Sequence, residues 1–541
     1  MVSILALSFH PAFNPPKSGG EQRLYHIYNN LSNYYNITLI SFTYPDLNNA
    51  IEEVNHNNNF REIRIPKTRL SMVLHHLIGK FTKIKECSAI ITSIDSKFNY
   101  NFKNVFKEEV LNAEVVVFVY PYLFTVQQKL LTDKKVVYES HNVEYELMKQ
   151  TLSESRAGKI FLWYVRRIEK SLSQRCDIAF AVSEDNKNKL ISIYDISENK
   201  IYVSPNGVDL KAYEDLDYNH PVNKGFTDAI KCIFVGSYHP PNIEAIEQIT
   251  EIAPKLPELK FIVAGSSTGF FLVKNLSKQL DLRDYDSSIL KTKILISGSY
   301  NTEYWDKTPA LWCEPAFKIY VSEDINRLDL KIFSPFKQDI EIEMDANSEC
   351  KKVEKNINII SVYLRDNASR LVSFTCSKSI TEERRILGIA ILEVAYYLND
   401  KKYFLDFTND IKPPFVSNKA NNVYLFGQIS EEKKIDFYKS SSIALNPMLT
   451  GSGTNIKMLD YMAAKLPVVT TPVGARGLEI ENYTHALICD IQEFPEKIME
   501  VISDEILYSQ LRDNGYKLVC ERYDWRIIAK DMSDILSRKI K

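Results

Sequence analysis

Residues 451–460 read GSGTNIKMLD: two glycines, then a lysine and, three positions later, an aspartate. Gly451 and Gly453 let a backbone come close to a ligand. If a helix starts here, the amides of Gly453, Thr454 and Asn455 point out of its N-terminus toward an anion such as a diphosphate. Lys457 and Asp460 then share one helical face, within reach of that ligand. A carboxylate beside a phosphate repels it unless it lies further along and accepts hydrogen bonds, which two adjacent ribose hydroxyls donate. A nucleotide fits the combination. The structural alternative is a capped surface helix with an exposed Lys and Asp, because a glycine turn before a helix is a weak signal by itself.

The flanking elements place this turn. SSIALNPM before it and LPVVTT after it are strand-forming runs, so the turn leaves the carboxyl edge of a sheet, where open α/β sheets bind ligands. VSILALSF, NITLISF, AEVVVFVY, KKVVYES, CDIAFAVS and KIYVSP are near-continuous β-formers of the kind buried on both sheet faces, with helix-length segments between them. They predict a doubly wound α/β domain over 1–212. A second domain of that type is predicted over 213–267 and 418–522, and a C-terminal helix at 523–541 that packs back on the first domain. Between them, 268–417 changes rhythm. FKIYVSE, LDLKIFS, QDIEIEMD, INIISVYLRD and RLVSFTC alternate with period two and predict an inserted antiparallel β-domain, sandwich-like. That insertion reads either as an appended sandwich tolerated because its ends lie close together, or as a sugar-binding or oligomerisation module. For sugar stacking, Trp305, Trp312 and Tyr320 are the candidates.

Composition narrows the function. With 541 residues the chain exceeds the ~250 that one core organises, so two or three domains are expected. The 67 basic and 69 acidic side chains leave a net charge of −2, which argues against a nucleic-acid partner. MVSILALSFHPAF lacks the basic start and cleavage site of a signal peptide, and no apolar run reaches the ~18 residues of a membrane span. Eight scattered cysteines form no zinc or redox motif. The expectation is a soluble cytoplasmic protein without a metal. RAGKIFLWYVRRIEKSLSQR sets Arg156, Lys159, Arg166, Arg167, Lys170 and Arg175 around Phe161, Leu162 and Trp163, which suits peripheral docking at the inner face of a membrane. The plainer reading, a solvated helix whose apolar side packs on its own sheet, is preferred.

GSGTNIKMLDYMAAKLPVVTTPVGARGL resembles the donor-site signature of glycosyltransferase family 4, the retaining nucleotide-sugar transferases of the GT-B fold. SGGEQRLYHIYNNLS, VVYESHNVEYEL, AFAVSEDN, VSPNGVDL, FVGSYHPPN and NVYLFGQISEEKKIDFYKSSSIALNPM resemble further family segments in the family's order. The resemblance covers roughly 1–267 and 418–541 and leaves the insertion unexplained. It implies two Rossmann-like domains facing a cleft, with a UDP- or GDP-sugar as donor and a saccharide, lipid-linked or protein acceptor in surface-glycan synthesis. No cofactor or metal is implied, and oligomeric state is left open. By the same resemblance Gly19 and Gly20 lie over the donor diphosphate, His141 contacts the transferred sugar and Gly427 borders the base. Lys457 faces the phosphates and Asp460, the second acid of the family's E-x7-E motif, holds the ribose.

Departures from the family pattern bear on activity. The first acid of that motif falls on Ser452, and the Arg and Lys that many members carry after F-V-G fall on Ser237 and Asn242. A leaving diphosphate needs its charge stabilised. Either Lys457, the helix N-terminus and a further cation such as Arg476 suffice, or a metal is recruited, or activity is weakened. Arg476 reads equally as a structural turn residue. The leading reading is a retaining hexosyltransferase. The alternatives are a catalytically weakened scaffold of the same fold acting through its β-insertion and, less favoured, a sugar-nucleotide epimerase or a phosphorylase.

Overall fold

The computed structural model describes the chain apart from residues 17, 44–49, 83–86, 125–127, 153–154, 215–229, 275, 280–293, 306–307, 323–324, 345–346, 365–370, 383–384, 399–400, 406–414, 452–453 and 541. Two candidate residues of the glycine turn, Ser452 and Gly453, lie outside the described residues. Two compact units emerge: Met1–Asp217 with Met448–Asp490 and Lys497–Lys541, and Tyr218–Pro447 with Ile491–Glu496. The donor-turn segment that the sequence assigns to the second domain thus clusters with the first unit.

The first unit is built on β1 (Ser3–Leu7), β2 (Asn36–Thr43), β3 (Glu52–Asn57), β4 (Phe60–Pro66), β5 (Val115–Phe118), β6 (Lys135–Ser140), β7 (Ile178–Ala181) and β8 (Ile201–Val203). Their order is β3-β4-β2-β1-β5-β6-β7-β8, parallel except for the β3–β4 pair. Both faces are covered, as the apolar runs predict. Ile4, Ala6, Val115, Val117 and Val137 point into one core, and Leu5, Leu7, Val116, Phe118 and Val136 into the other. The order reverses between β1 and β5, so the loops leaving their carboxyl ends diverge and leave a crevice. Helix Gly19–Leu31 follows β1, and helix Trp525–Ile540 packs beside it through Trp525, Ile528, Met532 and Leu536.

In the second unit, β9 (Lys231–Val235) and β10 (Lys260–Ala264) pair in parallel, and β11 (Ser277–Gln279) leads to the insertion. That insertion runs through β12 (Ile294–Trp305), β13 (Thr308–Val321), β14 (Arg327–Ser334), β15 (Gln338–Met344), β16 (Asn347–Val353), β17 (Asn356–Tyr363), β18 (Leu371–Cys376), β19 (Ile380–Glu382), β20 (Arg385–Leu387), β21 (Ala390–Leu398) and β22 (Lys401–Phe404). The chain then returns through β23 (Phe415–Ser417), β24 (Val423–Leu425) and β25 (Ile443–Asn446), in the order β11-β23-β24-β10-β9-β25.

The insertion is antiparallel, ordered β16-β15-β18-β13-β21-β14-β17, with β12 on β13 and β22 on β21. Strict alternation of buried and solvated residues along β14 and β15 is the period-two pattern that predicts it. Inward residues, among them Leu328, Leu330, Ile340, Phe317 and Phe374, close one core. Trp312, a candidate for sugar stacking under one of the two readings of the insertion, is buried with Leu387 and Ala390 and meets Phe333 edge-on at 6.1 Å. A large aromatic on a strand contributes more by packing than by waiting for a ligand. Tyr320 is half-buried. Back in the first unit, β26 (Val468–Thr470) and β27 (Leu487–Ile488) pair in parallel after helix Lys457–Ala463. Among the described residues no helix is long and apolar enough to cross a membrane.

Candidate functional site

The turn after β1 is held from beneath. Glu62 on β4, fully buried, accepts from the Ala12 amide at 3.0 Å, the Ser41 hydroxyl at 2.7 Å and His56 Nε2 at 2.9 Å, and pairs with Arg64. Ser18 caps helix Gly19–Leu31 by accepting from the Glu21 amide. Gly19 and Gly20 are thus the first helical residues. A Cβ on Gly19 would stand 2.8 Å from Ile456 Cδ1, so this turn lies close against the segment that precedes Lys457 and any side chain there obliges the end of Ile456 to shift.

On the other side of that contact, helix Lys457–Ala463 begins later than the sequence suggests. Its first bonds run from the Met458 amide to the Asn455 carbonyl and from the Leu459 amide to the Ile456 carbonyl. Thr454 and Asn455 therefore precede the helix instead of opening it, a correction to the cradle geometry. Thr454 Oγ1 is buried and has no hydrogen-bond partner among the described residues. It lies 3.0 Å from where a Cβ of Gly477 would stand, and Gly477 has φ +79°, so glycine is needed there twice over. Lys457 is half-buried, with its ammonium 3.8 Å from Met448 Sδ. Burial of that ammonium lowers its pKa to about 7. Asp460 shares the helix and accepts a 3.0 Å hydrogen bond from the Tyr213 hydroxyl. Arg476, exposed, donates to the Gly451 carbonyl at 2.7 Å and so closes the turn from outside.

His141 follows β6 and is buried. Both ring nitrogens are engaged: Tyr120 Oη lies 2.7 Å from Nδ1 and Glu139 Oε1 lies 3.3 Å from Nε2. Burial drives the imidazole pKa down to about 4, so the ring is neutral, and these partners assign the proton to Nε2. Burial pushes the other way on Glu139, yet its hydrogen bond from His141 and the Arg23 guanidinium at 3.0 Å hold it at about 2. Arg23 also donates to the Ser204 and Pro205 carbonyls at 3.0 and 2.8 Å, and Tyr28 donates to Glu139 at 2.7 Å. His10 extends the chain outward, its Nε2 3.3 Å from Tyr120 Oη. Sequence reasoning singled out His141 and missed Tyr120, Glu139, Arg23 and His10. The available signal was a charge inside an apolar pattern: Glu139 ends the run KKVVYE, and Arg23 shares a helical face with Ile27 and Leu31.

Two cavities open on this framework. One of about 530 Å³ sits at the ends of β1, β2 and β4 and is lined by Phe9, His10, Phe13, Glu21, Arg64 and Lys67, among others. Burial lowers the Lys67 pKa to about 8, with the Asp95 carboxylate opposing the shift. The other, about 130 Å³, is lined by Asn142, Glu146, Asp185, Asn186 and Lys189 together with Gly451, Arg476 and Gly477. The structure therefore gathers Gly19, Gly20, His141, Thr454, Asn455, Lys457, Asp460 and Arg476 into the first unit.

Gly427, Ser237 and Asn242 belong to the second unit. The Gly427 carbonyl accepts from the Gly265 amide at 2.9 Å, and a Cβ on Gly427 would meet nothing within 4 Å. Asn242 donates from Nδ2 to the Ser237 carbonyl at 2.9 Å, stitching the turn after β9.

Known proteins match both the fold and the segments. Sucrose-phosphate synthase from Thermosynechococcus elongatus superposes with a TM-score of 0.55 at 12% identity over 99% of each chain. Anabaena HepE in complex with UDP-glucose gives 0.51 at 11% identity over 99% of this chain and 100% of its own. At such identities the likeness is one of fold, and the fold is that of the GT-B glycosyltransferases. Residues 90–212 match the model described as Glycosyltransferase Family 4, and residues 409–504 the one described as Glycosyl transferases group 1. Two separate segments thus match models of glycosyltransferases, one of them family 4, each over less than half of the chain. An uncharacterized 44.6 kDa protein in the cps region of Klebsiella pneumoniae is 25% identical over 118 residues, which is 22% of this chain and 30% of that relative.

Proposed function

We propose that the chain transfers a hexosyl group from a nucleotide-sugar donor, UDP- or GDP-linked, to a saccharide or lipid-linked saccharide acceptor, with retention at the anomeric carbon. The observation that carries this reading is a half-buried lysine, Lys457, on the same glycine-shaped turn as the buried hydroxyl of Thr454, which has no hydrogen-bond partner among the described residues. Lys457 supplies charge to the leaving diphosphate, Thr454 a donor to one of its oxygens, and Asp460 an acceptor for ribose hydroxyls. The acceptor oxygen bonds to the anomeric carbon as the bond to the donor phosphate breaks, and the acceptor proton passes to that phosphate on the same face. No pair of carboxylates at glycosidase spacing is required. HepE, solved in complex with UDP-glucose, supports a nucleotide-sugar donor.

A lipid-linked acceptor suits helix Arg156–Arg175. Its outer face exposes Arg156, Lys159, Arg166, Arg167 and Lys170 around Ile160 and Trp163, while Glu169, its lone acid, is fully buried. That face favours a peripheral position at an anionic membrane. The competing reading, a weakened transferase that serves as a scaffold, draws on Ser237 and Asn242, which bond to each other where cations are usual.

Thermal-shift screening against UDP-, GDP-, ADP- and CMP-sugars separates the two. The transferase reading expects stabilisation by one class, slow donor hydrolysis by the parent, and loss of both in Lys457→Ala and Asp460→Ala. Absence of stabilisation by every nucleotide sugar would leave the scaffold.

A further inference from the structure

Edge strands expose unpaired amides and carbonyls, and natural sheets guard them with charge, proline, shortness or a cover. Most edges described here are guarded. β3 carries Glu52 and Glu53, β16 carries Glu349, Lys351 and Lys352, and β22 carries Lys401 and Lys402. β8, β11 and β27 are at most three residues long. β12 is long, but its Ile294, Leu295 and Ile296 are fully buried.

β17 is the exception among the described strands. It runs for eight residues, NINIISVY, with neither charge nor proline, and pairs only with β14. Three of its four outward residues are large and apolar: Ile357, Ile359 and Tyr363 are 59%, 71% and 63% exposed, with Ser361 between the last two. The inward residues Ile360 and Val362 are buried in the core of the insertion, so the strand's register is fixed. Arg327 on β14 lies over the Tyr363 ring at 5.1 Å and holds it upright at the edge.

We propose that two copies of the chain join through β17, edge to edge and antiparallel about a twofold axis. Because β17 carries no charged residue, it meets a copy of itself in any antiparallel register without setting like charges opposite each other, and the contact covers the exposed Ile357, Ile359 and Tyr363. Pairing centred on Ile360 keeps the two inward faces continuous. It sets Ile357 opposite Tyr363 of the second copy, a β-branched residue against an aromatic, and Ile359 opposite Ser361. The insertion then serves as a dimerisation module, independent of which sugar the transferase domains handle.

Sedimentation equilibrium of the full chain tests this. The expected species has twice the 62.5 kDa chain mass at micromolar concentration. Ile359→Lys, a change at an exposed position, should raise the dimer dissociation constant at least tenfold while leaving the melting temperature of the monomer intact. Ile386→Lys, at another exposed isoleucine, on β20, should leave the dimer unchanged. Hydrogen exchange provides the second readout: β17 amides should slow as the parent is concentrated, and not in Ile359→Lys. A parent that is monomeric throughout, a dimer indifferent to Ile359→Lys, or equal dissociation by both variants would each overturn the proposal.

Discussion

The Tyr213 hydroxyl donates to Asp460 Oδ1 at 3.0 Å, so the carboxylate assigned to the ribose is already oriented by a side chain from the segment after β8. The hydroxyl occupies one lone pair of one oxygen, and a carboxylate accepts several hydrogen bonds at once. With Asp460 holding the ribose as proposed, Tyr213 acts as a positioning residue. Removing its hydroxyl in Tyr213→Phe takes away one hydrogen bond to a charged group, ~1.5–3 kcal/mol, part of which water restores. Donor KM is expected to rise about three- to tenfold with kcat nearly unchanged, and Asp460→Ala to lose more. Steady-state kinetics at saturating acceptor measures the split, and a KM equal to the parent's would remove Tyr213 from the site.

Lys457 gives donor binding a pH signature. Burial lowers its pKa to about 7, and a bound diphosphate raises it again. Below about pH 7 the lysine is charged both free and bound, so affinity is flat. Above it, binding must take up a proton, and affinity for UDP falls by up to tenfold, ~1.4 kcal/mol, per pH unit. Calorimetry at pH 8 in two buffers of different ionisation enthalpy should report uptake of close to one proton. Lys457→Ala should show none, and identical heats in the two buffers for the parent would refute the assignment.

What the sequence discloses here is what is local or periodic. Strands buried on both faces announce themselves as apolar runs, and the alternation along β14 and β15 predicts the insertion. The chemical identities of Lys457 and Asp460 were equally legible. Three kinds of feature were not. Helix starts are ambiguous to a turn, and Thr454 and Asn455 proved to precede theirs. Partners distant in sequence, such as Arg23 with Glu139 and Tyr213 with Asp460, follow from topology that no single segment encodes. Whether a strand is an edge depends on its neighbours, so the uncharged sequence of β17 has meaning only after the strand order is known.

Glu144 makes the first unit lose stability toward alkaline pH. Burial raises its pKa to about 8, with the charge of Glu169 adding to the shift and the Tyr122 hydroxyl at 2.7 Å opposing it. An unfolded glutamate titrates near ~4.3. Between those two values the folded chain holds a proton that the unfolded chain has released, so this group's contribution to stability declines as pH rises from about 4 to about 8. Glu144→Gln retains an acceptor for Tyr122 and carries no charge. Its melting temperature should exceed the parent's at pH 8.5 by several degrees, the scale of ~1–2 kcal/mol in a domain this large, and converge with it near pH 5. Parallel profiles across that range, followed by circular dichroism, would show that Glu144 does not set the slope.

The peripheral membrane position proposed for the chain rests on the outer face of helix Arg156–Arg175 and is open to test there. Its inner face, Val165, Ile168 and Leu172, is buried in the two cores, so the plainer reading of the helix holds for that side and leaves the cationic side to be explained. Arg167 lies 5.3 Å from the Trp163 ring, which presents an aromatic and a cation together at the surface. Each cation near an anionic surface contributes ~1 kcal/mol, screened as salt rises. Co-sedimentation with phosphatidylglycerol vesicles is expected at low salt, with little binding to phosphatidylcholine vesicles and loss of most binding at high salt. Changing Arg166 and Arg167 together to Glu removes two such contributions and adds repulsion, so vesicle affinity should drop ~30-fold or more, while transfer to a water-soluble acceptor stays near the parent's rate. Trp163→Ala should weaken binding that persists at high salt. If the charge-reversed pair sediments like the parent, or if both vesicle types bind alike, the helix is solvated surface and the acceptor reaches the site without its help.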